Sequence, residues 1–332
     1  MVCILILNWN GYHDTIECLR SLDKILYEHY FVIVGDNGSS DHSLEKIEDF
    51  CINENRLYGK IVLGSGEELL PIKKRMTILY DLEDNNGFSR GNNLMLKYAS
   101  QYQPDYYLLL NNDTIVEPDF LSILVKFQQS HLDFKVLTPL IHYFYDKKMI
   151  WNGGGDIYWG FRKYHYANRA ASEVKEKEYI SCTYITGCAL FFVPSLLMEN
   201  KNIFTEKFFF GEEDFELGLR LKRMKYRMAC VVNSVIYHKV GASRKKGDFA
   251  LEHAYIYYLN RLIDVRDYMR KISFVCYQLL FYLNVLYKMK SSYGLSLKEA
   301  WIFVKRLRDD LAVRTDVSKE FFSFLFSSKI TL

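Results

Sequence analysis

The feature that most constrains the fold is a repeated alternation of strand-like and helix-like segments in the first 110 residues. Four apolar runs of strand length, residues 2–7, 31–35, 76–80 and 106–110, each lead into a polar turn and then a helix-like segment. Strands that are apolar on both faces are typical of a parallel sheet that helices cover on both sides. We therefore predict an α/β fold with a mostly parallel central sheet.

The turns after these four runs are the candidate positions for a binding site. Parallel sheets of this kind bind their ligands at the carboxyl ends of the strands. The corresponding segments are residues 8–11, 36–41, 84–93 and 111–113.

The later part of the chain shows a less regular pattern. Helical periodicity and a proline near one helix start predict helices over residues 89–98, 118–130 and 214–224. Residues 231–236 read as a strand. Between them, residues 136–184 hold short aromatic segments around several glycines, and we predict an irregular, acceptor-facing insertion.

The chain becomes helical and cationic after Tyr257. Its run 272–289 is apolar and aromatic but is interrupted by Gln278 and Asn284, so it is marginal for a membrane span. Two interpretations stay open: a helix that is buried or faces a partner, and a helix that lies on a membrane surface. The cations that favour the second interpretation are Lys288, Lys290 and Lys298.

Charge and cysteine usage exclude several classes of protein. The 43 Lys and Arg residues exceed the 40 Asp and Glu residues by only three, whereas nucleic-acid binders need a large uncompensated cationic surface. The seven cysteines form no CxxC pair, which argues against a zinc site or a disulfide framework. The first residues enter a strand-like run without a signal-peptide pattern, so we expect a cytoplasmic protein.

Three groups of residues can carry chemistry, and the first is Asn111, Asn112 and Asp113. A sugar linked to a diphosphate leaves negative charge on the leaving group, and a divalent cation held by oxygen ligands stabilises that charge. These three side chains follow a predicted strand and can supply such ligands, although the same residues are common in ordinary turns.

The second group is an acidic segment, Glu212, Glu213, Asp214 and Glu216, directly after three phenylalanines. Like charges crowded beside apolar surface raise the pKa of at least one carboxyl group, which suits a general base. The alternative is an ordinary helix start, where acidic side chains favour the positive end of the helix dipole.

The third group centres on His238, which follows the strand-like run 231–236. It is either a ligand of a metal or phosphate or a hydrogen-bonded structural residue. The cations after it either attract a diphosphate or form a solvated loop; they are Lys239, Arg244, Lys245 and Lys246.

Five motifs in this order resemble the inverting glycosyltransferases of family 2, which have the GT-A fold, and especially the rhamnosyltransferase-like members of bacterial polysaccharide assembly. The motifs are Leu7-Asn8-Trp9-Asn10-Gly11, Gly35-Asp36-Asn37-Gly38-Ser39-Ser40-Asp41, Asn85-Asn86-Gly87-Phe88-Ser89-Arg90-Gly91-Asn92-Asn93, Leu110-Asn111-Asn112-Asp113-Thr114, and Glu213-Asp214 with Leu217 and Arg220. The resemblance covers about residues 2–265. It implies a Rossmann-like GT-A sheet followed by a helical C-terminal extension.

The resemblance implies a nucleotide-sugar site at the ends of the first strands. Asp36 would hydrogen-bond the nucleotide base, and Asn8 and Asn10 would line the same pocket. The further nucleotide-sugar-binding residues that it implies are Asn85, Gly87, Arg90, Asn93, Asn111 and Asn112.

The resemblance also implies a metal-dependent single displacement. Asp113 and His238 would hold Mn²⁺ or Mg²⁺ on the diphosphate. Asp214 would take the proton of the acceptor hydroxyl while that oxygen attacks the anomeric carbon, and Glu213 would orient the base or the acceptor. The residues that would shape the sugar and acceptor pockets are Trp151, Gly154, Thr186 and Gly187.

The chain departs from the family pattern at three positions. Asn111 replaces the first aspartate of the DxD metal motif and leaves less protein charge for the metal. Arg90 replaces a small residue, and Glu216 stands where an aspartate is common. These departures bear on donor identity more than on the reaction.

We expect a GT-A domain over residues 1–265, with a nucleotide-sugar half up to about 115 and an acceptor half after it, and a helical region over 266–332. The expected donor is a UDP- or dTDP-sugar, with dTDP-rhamnose among the candidates. The expected acceptor is a glycan or polyprenyl-linked glycan of a capsule, O-antigen or cell wall. Peripheral contact with the cytoplasmic face of the inner membrane and a homodimer both stay open.

Two other classes of function remain as alternatives. One is a non-catalytic sugar-nucleotide-binding protein. The other is a sugar nucleotidyltransferase, which usually carries a cationic, glycine-rich first loop that residues 8–11 lack.

Overall fold

The computed structural model describes residues 1–64, 69–200, 202–240 and 250–328. The strands are β1 (Val2–Asn8), β2 (Tyr30–Asp36), β3 (Tyr58–Val62), β4 (Thr77–Asp81), β5 (Tyr106–Leu110), β6 (Thr114–Val116), β7 (Phe134–Tyr143), β8 (Ile150–Asn152), β9 (Gly155–Tyr158), β10 (Phe161–Tyr164), β11 (Tyr179–Cys182), β12 (Ala189–Phe192) and β13 (Arg227–His238). The helices are α1 (Tyr12–Leu22), α2 (Ser43–Asn53), α3 (Gly87–Ala99), α4 (Phe120–Ser130), α5 (Ser195–Asn200), α6 (Glu213–Arg223), α7 (Ala250–Tyr268), α8 (Lys271–Ser291), α9 (Leu297–Val313) and α10 (Lys319–Ser328).

One large sheet organises the molecule, with the strand order β11-β13-β7-β12-β5-β1-β2-β4-β3. Strands β3, β4, β2, β1 and β5 are mutually parallel, and β12 runs antiparallel to both β5 and β7. Because β13 pairs parallel with β7, both strands run in the direction of β5. The carboxyl ends of these strands and the start of β12 therefore meet at one edge of the sheet.

Helices cover both faces of the sheet, as the two-sided apolar strands require. Side chains from α1, α2 and α4 pack on one face, with Leu19, Ile47 and Phe120 among the buried residues. Side chains from α3, α5 and α6 pack on the other, with Met95 and Leu221 among them. Each such side chain contributes roughly 1.5–3 kcal/mol when it is fully buried.

A third apolar core joins the C-terminal helices to the rest of the chain. Residues of α7, α8, α9 and α10 pack there against Phe208, which precedes the acidic segment, against Phe215, which lies within it, and against Tyr184. The predicted boundary between residues 265 and 266 falls inside α7. The division into two regions stays a prediction.

Helix α8 has one buried and one exposed apolar face. It is the one helix, among the described residues, that is long and apolar enough to cross a membrane, and 22% of its most apolar window is buried. The inward side chains are Tyr277, Phe281, Val285 and Met289. The apolar side chains that face outward are Ile272, Val275, Leu279, Leu280, Leu283 and Tyr287.

The predicted α/β architecture is confirmed. The four predicted strands are β1, β2, β4 and β5, and the three predicted helices are α3, α4 and α6, each within two residues of its predicted ends. The prediction of an irregular insertion from residue 136 is wrong for its first part, since Phe134–Tyr143 is a ten-residue strand. Pro139 and the buried Thr138 and His142 obscure its strand pattern.

Candidate active site

The first polar cluster lies where β1 and β2 end. Asn8 Nδ2 donates to Asp36 Oδ1 at 2.7 Å, and Thr15 Oγ1 donates to Asn8 Oδ1 at 2.8 Å, so both side chains are buried and held in place. The Ser39 hydroxyl donates to Asp36 Oδ1 at 2.7 Å and accepts from the Asn10 backbone amide at 2.9 Å. The side-chain Oδ1 of Asn10 in turn accepts from the Ser40 backbone amide at 2.8 Å. The predicted residues Asn8, Asn10 and Asp36 thus form one hydrogen-bonded cluster.

The next turn along the edge joins this cluster to α3. Asn37 Nδ2 donates to Asn85 Oδ1 and to the Gly87 carbonyl, each at 3.2 Å. Gly87 has φ +74°, and a Cβ there would lie 2.2 Å from the Phe209 carbonyl oxygen. Only glycine fits this close approach, which brings the segment before the acidic residues against the start of α3.

A carboxylate and an imidazole meet further along the same edge. Asp113 follows β5, and pairing of β6 with β13 places Thr114 opposite His238. Asp113 Oδ1 lies 3.1 Å from His238 Nε2 in a mostly buried ion pair. Apart from this contact, Asp113 Oδ1 has no hydrogen-bond partner among the described residues, and neither has the buried His238 Nδ1. The structure thus brings these two predicted site residues together.

The environment of His238 favours its charged form. Burial alone would lower the pKa of His238, but Cys188 and the Asp113 carboxylate beside the ring raise that pKa to about 10. Trp151, a predicted pocket residue, packs edge-on against the imidazole with ring centroids 4.4 Å apart.

A short turn before β12 connects this pair to the acidic segment. The Cys188 carbonyl accepts from the Asn111 amide at 2.8 Å, on the Asp113 side of the turn. On the other side, the Gly187 amide lies 3.4 Å from Asp214 Oδ2. The predicted residues Thr186 and Gly187 therefore lie between Asp113 and Asp214.

The Asp214 carboxylate is held from three directions. The Tyr184 hydroxyl donates to Asp214 Oδ2 at 2.5 Å, and Arg162 Nη1 lies 3.4 Å from Asp214 Oδ1. Arg162 Nη2 also lies 3.3 Å from Oε1 of the buried Glu212. The Gly187 amide completes the set.

Glu213 is the carboxyl group that the acidic segment perturbs most clearly. Burial and the neighbouring Asp214 charge raise the pKa of Glu213 to about 8. Its Oε2 atom is buried without a hydrogen-bond partner among the described residues. The prediction that crowding raises at least one carboxyl pKa is confirmed, and the group is Glu213, which stays protonated at neutral pH.

Two further predicted site residues, Asn93 and Gly154, make structural contacts, and their roles in the site stay predictions. The Asn93 side chain forms two hydrogen bonds with the segment before α6. Its Nδ2 donates to the Phe204 carbonyl at 2.9 Å, and its Oδ1 accepts from the Phe204 backbone amide at 3.2 Å. Gly154 has φ +79° and is buried in the sheet, where a Cβ would lie 2.2 Å from Cys182 Sγ. Glycine is therefore needed at this position for packing.

The remaining predicted residues have mixed surroundings. Asn112 Nδ2 donates to Thr15 Oγ1 at 3.1 Å and so ties the end of β5 to α1. Arg90 is exposed on α3.

Lys239 is buried and pairs with Asp14 and Glu17 of α1, each at 2.5 Å, so it does not face a ligand. Arg244, Lys245 and Lys246 lie outside the described residues.

Sequence reasoning missed Arg162 and Tyr184, the two side chains that hold Asp214. Both fall in the segment predicted to be irregular, and neither belongs to a motif. Their role depends on the position of α6, because their contacts with Asp214 join residues that are far apart in the sequence. The high aromatic content of this segment was the only available signal.

The architecture is that of the GT-A glycosyltransferases: a mostly parallel sheet that includes some antiparallel strands, and a polar edge that carries carboxylates. Similar solved structures include the mannosyltransferase PcManGT from Pyrobaculum calidifontis in complex with GDP-Man and Mn²⁺, with TM-score 0.54, 14% identity, and coverage of 98% of this chain and 79% of that one. S. aureus TarS 1-349 has TM-score 0.54 and 14% identity, over 94% and 81% of the two chains. GalNAc-T7 with UDP, GalNAc and Mn²⁺ has TM-score 0.56 and 14% identity, over 99% and 57%.

The sequence profile described as glycosyl transferase family 2 matches residues 3–196. The chain belongs to this family and is a glycosyltransferase. A search of curated proteins found no significant match.

Proposed function

We propose that this glycosyltransferase is metal-dependent and inverting, and that it transfers a sugar from a nucleotide-diphosphate donor to a hydroxyl group of a glycan or lipid-linked acceptor. The observation that carries the proposal is the turn before β12. The Asp113–His238 pair lies on one side of Gly187 and Cys188, and the Asp214 carboxylate lies on the other side. An enzyme of this kind needs a diphosphate site and a base on opposite sides of the transferred sugar.

The nucleotide would bind at the cluster of Asn8, Asn10 and Asp36. Asp36 Oδ2 accepts the Ser39 amide at 3.0 Å, and Oδ1 accepts from Asn8 and Ser39, so the carboxylate is rigidly oriented before a ligand arrives. A rigid acceptor of this kind recognises the ring N–H that uracil and thymine share, which supports a UDP- or dTDP-sugar as donor. dTDP-rhamnose is one candidate.

Asp113 and His238 fit the site of a divalent cation. A carboxylate oxygen of Asp113 and an imidazole nitrogen of His238 are suitable ligands for Mn²⁺ or Mg²⁺, and a bound cation would displace the proton that the ring otherwise carries. No group of three His, Cys, Asp or Glu side chains that could hold a metal occurs within the described residues. The donor's phosphate oxygens would therefore complete the ligand set. PcManGT and GalNAc-T7, which share the fold, were both determined with Mn²⁺.

The chemical step would take place between this pair and Asp214. A cation bound there would neutralise the charge that develops on the diphosphate leaving group. Asp214 would accept the proton of the acceptor hydroxyl as the hydroxyl oxygen attacks the anomeric carbon. The bond to the diphosphate breaks on the opposite face, so a single displacement inverts the configuration. Glu213, protonated at neutral pH, would orient the base or the acceptor by donating a hydrogen bond.

The exposed face of α8 supports a proposal for the location and, through it, for the acceptor. Its outward apolar side chains form a band with Lys271 near one end and Lys288 and Lys290 near the other. Because the opposite face packs on the C-terminal core, the helix would lie flat on an anionic surface and not span it. We propose a cytoplasmic protein on the cytoplasmic face of the membrane, acting on a polyprenyl-linked glycan of a capsule, O-antigen or cell wall.

The experiment that tests the reaction is a transfer assay with defined donors. Purified protein is incubated with UDP- and dTDP-sugars, a polyprenyl-linked acceptor and Mn²⁺, and the anomeric configuration of the product is read by NMR. We expect transfer with inversion, which stops when EDTA is added. A product that retains configuration, or a rate that EDTA does not change, would overturn the proposal.

A further inference from the structure

A buried arginine holds the Asp214 carboxylate from β10. The Arg162 side chain is 17% exposed, and its Nη1 donates to the Tyr184 hydroxyl at 3.2 Å and lies 3.4 Å from Asp214 Oδ1. The guanidinium carbon lies 5.0 Å from the ring centroid of Tyr164 and 4.9 Å from that of Tyr184. These rings restrict the guanidinium to one position, since a cation is attracted to an aromatic face.

A second arginine fixes the first through a shared carboxylate. Glu212 is 4% exposed; its Oε1 lies 3.3 Å from Arg162 Nη2, and its Oε2 accepts from Arg261 Nε at 2.6 Å. The guanidinium carbon of Arg261 lies 3.6 Å from the Phe215 ring centroid. The carboxylates of Asp214 and Glu212 thus alternate with the guanidinium groups of Arg162 and Arg261. Their charges balance, as buried ions require.

This alternating set reaches Asp214 from the C-terminal helices. Arg261 lies on α7, and its neighbour Asn260 donates to the carbonyls of Phe210 and Gly211 at 3.0 and 2.8 Å. Helix α7 therefore fixes the segment that enters α6, where Asp214 lies. None of these contacts involves the cluster around Asp36 or the Asp113–His238 pair.

We propose that Arg162 is a positioning residue for Asp214, held in place by Glu212 and by Arg261 of α7. The inference rests on the proposed role of Asp214 as the base. Arg162 and the Tyr184 hydroxyl contact different oxygens of the carboxylate, so together they set its orientation toward the acceptor hydroxyl. Without Arg162, the carboxylate keeps only its Oδ2 contacts, with the Tyr184 hydroxyl and the Gly187 amide, and can rotate.

The test compares Arg162→Gln with wild type in the transfer assay. We expect kcat to fall roughly 10- to 100-fold, because small misplacement of a reacting group has effects of this size. The acceptor KM and the affinity for a nucleoside diphosphate in Mn²⁺ stay within about twofold, the range expected when no binding contact is lost. Arg162→Lys recovers part of kcat, and Arg261→Gln lowers kcat by less than Arg162→Gln. The matched control is Arg169→Gln, an exposed arginine paired with Glu173, which retains the wild-type rate.

Three outcomes would overturn the inference: a wild-type kcat in Arg162→Gln, a raised acceptor KM with unchanged kcat, or an equal loss of donor affinity. The second would make Arg162 an acceptor ligand. If Arg162→Gln does not fold, as judged by near-UV circular dichroism, the test uses Tyr184→Phe, which removes the other contact. This variant must likewise lower kcat and leave the acceptor KM within about twofold of wild type. Full activity of Asp214→Asn would instead refute the proposed base, so the two failures are distinguishable.

Discussion

The imidazole Nε2 of His238 lies 3.1 Å from the carboxylate Oδ1 of Asp113, although one residue ends β13 and the other follows β5. Pairing of β6 with β13 brings them together, and the Lys239 amide donates to the Asp113 carbonyl at 3.0 Å. Backbone hydrogen bonds on both sides therefore fix the pair before any ligand binds.

The role of Asp113 in holding a cation is tested by Asp113→Asn. This change removes the charge and keeps the shape, so we expect affinity for a nucleoside diphosphate in Mn²⁺ to fall at least about tenfold, a loss of about 1.4 kcal/mol. Isothermal titration calorimetry with and without Mn²⁺ measures it. Asp119→Asn, an exposed aspartate at the start of α4, is the control and should match wild type. Equal affinities for the two variants would remove Asp113 from the cation site.

The assignment of the base is tested by Asp214→Asn. The amide keeps the position between Arg162 and Tyr184 but cannot accept the hydroxyl proton. We expect the transfer rate to fall by a factor on the order of 10² to 10⁴, the usual contribution of a general base. Donor affinity should stay close to that of wild type, because Asp214 lies beyond the Asp113–His238 pair. A variant that keeps the full rate would show that another group takes the proton.

The parallel sheet and much of its polar edge could be predicted from the sequence. Strands buried on both faces have a readable pattern, and Asn8, Asp36 and Asp113 directly follow such strands. Strand β7 was hidden because Pro139 and His142 interrupt its apolar run, although the buried sheet accommodates both. The contacts of Asn93 with Phe204 could not be predicted, because a motif does not show which side of a helix an amide faces.

Arg162 and Tyr184 could not be found in this way. They approach Asp214 only after β10 and α6 have been placed against each other by the third apolar core. Local patterns carry no information about such a contact.

The close approach at Gly87 is tested against a second glycine with the same backbone conformation. Gly87 and Gly64 have φ +74° and +76°, but a Cβ at Gly64 meets no atom of the described residues within 4 Å. Gly64→Ala should cost about 1–2 kcal/mol, from the left-handed backbone alone. Gly87→Ala should cost roughly 1–3 kcal/mol more, because the new methyl group overlaps the Phe209 carbonyl. Urea unfolding measures both, and equal losses would show that the overlap is relieved at no cost.

The raised pKa of Glu213 predicts how stability depends on pH. The folded protein keeps Glu213 protonated up to about pH 8, whereas in the unfolded chain it ionises near its ordinary value of 4.5. Its contribution to stability is thus complete below pH 4.5 and is lost as pH rises toward 8, by at most about 1.4 kcal/mol per pH unit.

Glu213→Gln keeps the neutral form at every pH and removes this dependence. Relative to wild type, the variant should therefore gain in free energy of unfolding between pH 5 and 8, as measured by urea unfolding at several pH values. A difference between the two proteins that does not change with pH would mean that Glu213 is ionised in the folded protein.

The exposed face of α8 is tested by Leu279→Gln with Leu283→Gln. Loss of two exposed leucines should lower co-sedimentation with anionic phospholipid vesicles, because binding depends on buried apolar area. Ile52→Gln, on the exposed side of α2, is the control and should leave vesicle binding unchanged. Absence of vesicle binding in wild type, together with a dimer that these changes dissociate, would assign the face to a second copy of the chain.

The most direct test of the central claim is a calorimetric titration of the wild-type protein with nucleoside diphosphates and their sugars, in the presence of Mn²⁺ and again with EDTA. Metal-dependent binding of a uridine or thymidine diphosphate sugar is the predicted result, and it would identify the donor. If no nucleotide binds, or if binding is the same in EDTA, the cluster around Asp36 and the Asp113–His238 pair do not form a metal-dependent donor site, and the account is wrong.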